Sequence, residues 1–93
     1  MTIWKYVVPL VDGGEVKEIP RGYVPLQVSE QANLLCLWVL VDPDAPRDRI
    51  RLFARGTGQP FDAAEIAVYL GTGIMHGGRL VWHVFSDPVI DED

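Results

Sequence analysis

Leu34-Leu35-Cys36-Leu37-Trp38-Val39-Leu40-Val41 is a run of eight apolar residues between the turn-forming Glu30-Gln31-Ala32-Asn33 and the breaker Asp42-Pro43-Asp44-Ala45-Pro46. The run is short for a helix that is apolar all round, so it predicts a central strand covered on both faces. Upstream, Tyr23 to Ser29 places Val24, Leu26 and Val28 at a period of two, the pattern of a strand with one dry face. Downstream, Arg49-Ile50-Arg51-Leu52 alternates basic and apolar residues and predicts another half-exposed strand. The aromatic and β-branched run from Ile3 to Leu10 ends at Asp12-Gly13-Gly14, a hairpin signal leading into Glu15 to Pro20. Val68 to Met75 and Arg79 to Phe85 read as strands joined by a hairpin turn at His76-Gly77-Gly78.

Pro9 and Pro20 each remove a ladder donor and place the first two runs at sheet edges or ends. Asp62 and Glu65 can form a reciprocal cap, which predicts at most one short helix near 62–67. The expected fold is all-β, a small antiparallel sandwich or partly open barrel of six to seven strands, with neighbours in sequence pairing in space. Residues 1–86 form a single β domain, and Asp87 to Asp93 an acidic C-terminal tail. A strand that needs cover on both faces makes a homodimer reasonable.

A chain of 93 residues with 48% hydrophobic residues is too apolar for disorder and too short for a second domain. No apolar run approaches the ~20 residues that span a bilayer. Met1-Thr2-Ile3-Trp4-Lys5 lacks the features of a signal peptide, so the expected location is the cytoplasm, with no membrane partner. The net charge of −5 is uneven: residues 47–55 carry four arginines and one aspartate, +3, leaving −8 elsewhere. An acidic chain argues against general nucleic-acid binding, whose affinity comes from phosphate neutralisation. The basic strip Arg47, Arg49, Arg51 and Arg55 is instead a candidate docking patch, or else a guard on an edge strand. Trp4, near a terminus and on an expected edge, is the tryptophan best placed for an interface; Trp38 and Trp82 read as core.

The glycine steps Gly56-Thr57-Gly58 and Gly71-Thr72-Gly73 could offer amides to a phosphate, but neither has a helix N-terminus or a lysine behind it. Turn geometry with positive φ is their plainer reading. Cys36, His76 and His83 lack the spacing of a metal site, and Cys36 in the most apolar strand behaves as a small hydrophobe. Asp42 and Asp44 belong to a stiff turn. No nucleophile, base and orienting acid converge in the sequence, so no catalytic site, cofactor or metal is expected.

Several segments together carry a resemblance: Trp4-Lys5-Tyr6, Ile19-Pro20-Arg21-Gly22, Cys36 to Pro46, Gly56 to Pro60, Tyr69 to Thr72, and Gly77 to Phe85. In this order, over nearly the whole chain, they resemble a family of small uncharacterised proteins encoded by bacteriophages and prophages. Gln59 departs from the histidine frequent in the Gly-Thr-Gly-x-Pro loop of that family. The Arg-, Ala- and Val-rich character points to a phage of a high-GC host, an actinobacterium.

The resemblance, the lack of a catalytic constellation, and the sheet edges and arginine strip suited to strand addition or charge docking together give the expectation of a non-enzymatic phage accessory protein, acting in the cytoplasm of the infected host cell, which binds a host protein and alters host growth or defence. Its expected contacts are Trp4 and the arginines 47, 49, 51 and 55. A second class is a small-ligand or nucleotide-binding module, a sponge built from Gly56, Thr57, Gly58, Gly71, Thr72 and Gly73. A third is a minor virion component.

Overall fold

The computed structural model describes residues 1–61 and 67–89. Seven strands form: β1 (Thr2–Val7), β2 (Glu15–Pro20), β3 (Val24–Gln31), β4 (Leu34–Val41), β5 (Arg47–Gly56), β6 (Val68–Met75) and β7 (Leu80–Pro88). A 3-10 turn at His76–Gly78 joins β6 to β7, and among the described residues there is no other helix. The strands make two antiparallel sheets, ordered β1-β4-β3 and β2-β5-β7-β6, packed face to face and not closed into a barrel. The expected all-β architecture of short antiparallel strands is the one observed. The short helix expected near 62–67 falls on residues outside the described ones, except Ala67, which is in neither helix nor strand.

The core follows from alternation along the two central strands. Leu35, Leu37, Val39 and Val41 of β4 are at most 1% exposed and meet Ile50, Leu52 and Ala54 of β5 and Val84 of β7. Truncating one such leucine to alanine costs about 2–5 kcal/mol, through lost transfer energy and the cavity left behind. The other face of β4 has no second sheet over it, contrary to the expectation of cover on both sides. Leu34 is half exposed, and Trp38 and Leu40 are partly buried. Lys5 Nζ donates to Gln31 Oε1 at 2.8 Å, reaching from β1 across β4 to β3. By register, that side chain passes β4 at the level of Cys36, whose thiol is buried. The aliphatic stem of Lys5 thus supplies apolar cover while its head stays polar.

Two local signals led to different partners than their spacing predicted. Asp12-Gly13-Gly14 does turn the chain, with Gly14 N donating to Val11 O at 3.0 Å, but the turn is not a hairpin. β1 pairs with β4 and β2 with β5, so the chain crosses between sheets there. Turn residues fix a bend, whereas the sheet a strand joins is decided by which face it must bury. Sequence neighbours pair only at β3–β4 and β6–β7. Nor is β5 an edge: β2 and β7 flank it, so its arginines do not guard an open ladder.

The two lateral sides of the sandwich differ. At one side β6 approaches the other sheet so closely that a Cβ on Gly73 would lie 2.5 Å from Leu35 Cδ1 of β4 and 3.0 Å from Val28 Cγ1 of β3, and one on Gly71 2.8 Å from Val28 Cγ2. Gly71-Thr72-Gly73 lies within the strand expected over Val68 to Met75, just after a register irregularity between Tyr69 and Gly71; Gly71 has the expected positive φ, and both glycines leave room for the Val28 and Leu35 side chains. At the opposite side lie β1 and β2, each an edge of its own sheet.

Candidate partner-binding seam

The seam between β1 and β2 begins with two side chains that sequence reasoning had selected for unrelated reasons. Trp4, pointing inward from β1, is partly buried, and the Arg47 guanidinium lies 4.9 Å from its ring centroid. A cation over an indole face contributes about 0.5–1 kcal/mol at an exposed site and more when desolvated. Tyr6, the next inward residue of β1, donates its hydroxyl proton to Glu18 O at 2.9 Å, a link from β1 to β2 across the gap. Burial pushes the Tyr6 phenol above its ordinary pKa, with the nearby positive charge of Arg47 pulling part of that shift back. Tyr6 was not singled out from the sequence. Period-two alternation with Trp4 on a predicted edge strand was the signal available.

Arg47 differs from the other arginines of the strip. Arg51 is ion-paired with Asp87, Nη2 to Oδ2 at 2.6 Å, and its guanidinium lies 4.2 Å from the Phe53 ring centroid. Arg55 covers the same ring at 4.8 Å, and Arg49 is engaged as well. Arg21, outside the strip, is paired with Asp48 at 3.0 Å. Among the described residues, no carboxylate is paired with Arg47. The four candidate arginines thus stand in different surroundings: Arg47 lies over Trp4 in the seam, while Arg51 and Arg55 cover Phe53 on the outer face of the four-stranded sheet. Asp87, read above as the start of the tail, lies within β7, and Val89 N donates to Arg49 O at 3.1 Å.

That outer face has its own small core. Phe53 points away from the sandwich interior yet is fully buried, because Phe85 stacks on it at 5.6 Å and Phe61 returns over it at 6.1 Å. One row further along, β5 and β7 bring the two Gly-Thr-Gly steps to one histidine. Thr57 Oγ1 is 2.8 Å from His83 Nε2, and Thr72 Oγ1 is 3.0 Å from His83 Nδ1. Tyr69 OH, at 2.5 Å from Thr72 Oγ1, extends the chain. Both ring nitrogens are within hydrogen-bond distance of hydroxyls, so the imidazole bridges the loop after β5 and strand β6; which threonine donates depends on the ring tautomer. Among the described residues no carboxylate is hydrogen-bonded to His83. Gly56 and Gly58 shape the first loop, where Gly56 N donates to Gln59 Oε1 at 2.6 Å and Gly58 adopts φ of +89°. A cleft of about 320 Å³ lies beside this loop, bounded by Thr57, Gln59, Arg79, Leu80 and Trp82.

Two candidates stay apart from either site. Among the described residues no group of three or more His, Cys, Asp and Glu side chains could hold a metal ion. Asp42 and Asp44 form a turn in which Asp42 Oδ1 accepts from Asp44 N at 3.0 Å. No helix of the described residues is long and apolar enough to cross a membrane.

With this geometry in view, comparison with known families gives one match: residues 1–92 fit the model of a domain of unknown function, DUF7352. The chain belongs to the DUF7352 family. No curated protein and no solved structure matches it. The DUF7352 match spans β1 to β7, so both edges of the seam lie within the family's domain.

Proposed function

We propose that this DUF7352 protein is a non-enzymatic bacteriophage accessory protein that binds a host protein in the cytoplasm of the infected cell and alters host growth or defence. The observation that carries the binding part is Arg47, stacked on Trp4 with no carboxylate paired to it among the described residues, at the side of the sandwich where two sheet edges stay apart. Trp, Tyr and Arg are the residue types that dominate interface energetics, and here Trp4, Tyr6 and Arg47 adjoin one another. The phage assignment is supported by the resemblance of segments such as Cys36 to Pro46 and Gly77 to Phe85.

The test is affinity capture from lysate of a susceptible host, comparing the wild type with Trp4→Ala and Arg47→Glu variants whose melting temperatures are measured alongside. One host protein enriched by the wild type and lost with either folded variant supports the reading. Equal enrichment by all three removes the seam from it.

The cleft beside Thr57, Arg79 and Trp82 favours a second reading, a small anionic ligand such as a nucleotide. A nucleotide present at ~100 times its Kd would contribute about 2.7 kcal/mol, which a domain of this size registers as a rise of several degrees in Tm. No shift across a nucleotide panel counts against it.

A further inference from the structure

The partner's contact with β1 can be specified from hydrogen-bond parity. Val8 N donates to Leu35 O at 2.8 Å, which makes Val8 and Leu35 a hydrogen-bonded pair in the register that aligns Val7 with Cys36. Bonded and non-bonded pairs alternate along an antiparallel ladder. Tyr6 and Trp4 therefore turn their amides toward β4, while Ile3, Lys5 and Val7 turn theirs to the open edge.

The four edges are not equally guarded. β3 carries Pro25 and a register shift between Pro25 and Gln27, and β6 is interrupted between Tyr69 and Gly71. β2 ends in Pro20 and alternates Glu15, Lys17 and Glu18 with its apolar residues. β1 keeps an unbroken register over six residues with no proline and a single charge, Lys5. A regular, weakly charged edge is the kind that accepts an added strand.

Charge decides what is added. Lys5 is turned away across β4 to Gln31 of β3, so the cation beside the β1 edge with no carboxylate paired to it among the described residues is Arg47. A second copy pairing β1 with β1 would bring another Arg47 to the seam in place of an anion. An extended segment bearing carboxylates would instead meet Arg47 on the inner side. Resting on the protein-binding reading above, we infer that the partner contributes an extended acidic segment that adds to the three-stranded sheet as a fourth strand beside β1. Main-chain bonds to Ile3, Lys5 and Val7 hold it, and Arg47 on Trp4 selects the carboxylate.

The inference is tested on the full chain, labelled for amide NMR, with three synthetic octapeptides of alternating valine and a polar residue: one with glutamates, one with lysines in their place, and the glutamate peptide N-methylated at alternate amides. The glutamate peptide is expected to shift the Ile3, Lys5 and Val7 amides and slow their exchange at least about tenfold. Binding should weaken about tenfold with the lysine peptide, or with Arg47→Gln, as expected from loss of a charge-assisted contact. It should be lost with the N-methylated peptide and with Ile3→Pro, and kept with Ile3→Ala. Equal binding of the N-methylated peptide, shifts confined to other strands, or no shift at millimolar glutamate peptide would each overturn strand addition. So would protection of the same three amides that rises with protein concentration alone, the mark of self-pairing. Host-protein capture that survives Ile3→Pro but is lost with Trp4→Ala or Arg47→Glu overturns this inference and leaves the binding reading standing. Capture indifferent to Trp4 and Arg47 overturns the reading itself.

Discussion

The two lateral sides of this sandwich solve one problem in opposite ways. Where β6 meets β3, glycines at 71 and 73 let its backbone come so near the side chains of Val28 and Leu35 that a Cβ at either position would overlap them. Where β1 faces β2, the gap is filled by large polar-tipped side chains, Trp4 and Tyr6, with Arg47 over the indole. The first side is closed by the absence of atoms and tolerates no addition. The second is bridged by side chains, Trp4, Tyr6 and Arg47, of the residue types that dominate interface energetics. On the proposed binding function, close packing and recognition fall to different sides of one small domain.

The sharpest way to break this contrast is at the closed side. Gly73→Val would drive a branched side chain into Leu35 and Val28, and overpacking of this kind costs about 3 kcal/mol. The expected fall in Tm is at least ~10 °C, read by calorimetry or circular dichroism. A fall of only a degree or two would mean that the sheets can part at β3 and β6.

On the open side, prolines at adjacent positions should behave differently. Trp4→Pro removes a donor from the β4 ladder and the ring under Arg47, and is expected to destabilise by about 3 kcal/mol. Ile3→Pro removes an outward donor at a residue that is 60% exposed, with an expected cost under about 1 kcal/mol. Equal losses of Tm would show that the parity assigned to β1 is wrong.

Between these sizes falls Arg51→Ala, which breaks the ion pair with Asp87 and uncovers the Phe53 ring. Its expected cost is about 1–2 kcal/mol. Arg47→Gln should cost under about 1 kcal/mol while weakening partner binding about tenfold, so that a denaturant melt and a capture assay separate the two arginines. The original expectation of one continuous basic strip would have both acting alike.

The smallest effect concerns Tyr6. Its folded pKa is raised above the unfolded value, so the stability it contributes is complete below the ordinary phenol pKa and is lost as pH rises through the folded one. Tyr6→Phe should shallow the alkaline limb of the stability profile. Arg47→Gln, by removing the opposing charge, should raise the Tyr6 pKa further. A spectroscopic phenolate titration in which Arg47→Gln lowers that pKa would contradict the placement of Arg47 beside Tyr6.

Much of this fold was legible because burial writes itself into alternation. The apolar run of β4, the Val24-Leu26-Val28 period and the Arg49-Ile50-Arg51-Leu52 alternation each specified a strand without reference to its partner. What escaped was partnership. Asp12-Gly13-Gly14 announces a bend, and nothing in its residues says that the next strand joins the other sheet. Phe53 breaks the basic-apolar alternation of β5, and its burial on the outer face became intelligible only when Phe61 was found over it. The candidate site was legible as components. Trp4 was marked for its edge position and Arg47 for its charge, but their stacking depends on contacts between segments far apart in the chain. The two threonines of the Gly-Thr-Gly steps were likewise visible, whereas their meeting at His83 required the β5–β7–β6 register.

The central claim is that β1 presents an open, unguarded ladder edge beside Arg47 and Trp4. Residue-resolved amide hydrogen exchange of the dilute free protein tests it most directly. The account predicts an alternation along β1, with Trp4, Tyr6 and Val8 protected by β4 while Ile3, Lys5 and Val7 exchange close to unprotected rates. Uniform protection of all six amides at a concentration where the protein is monomeric would contradict it.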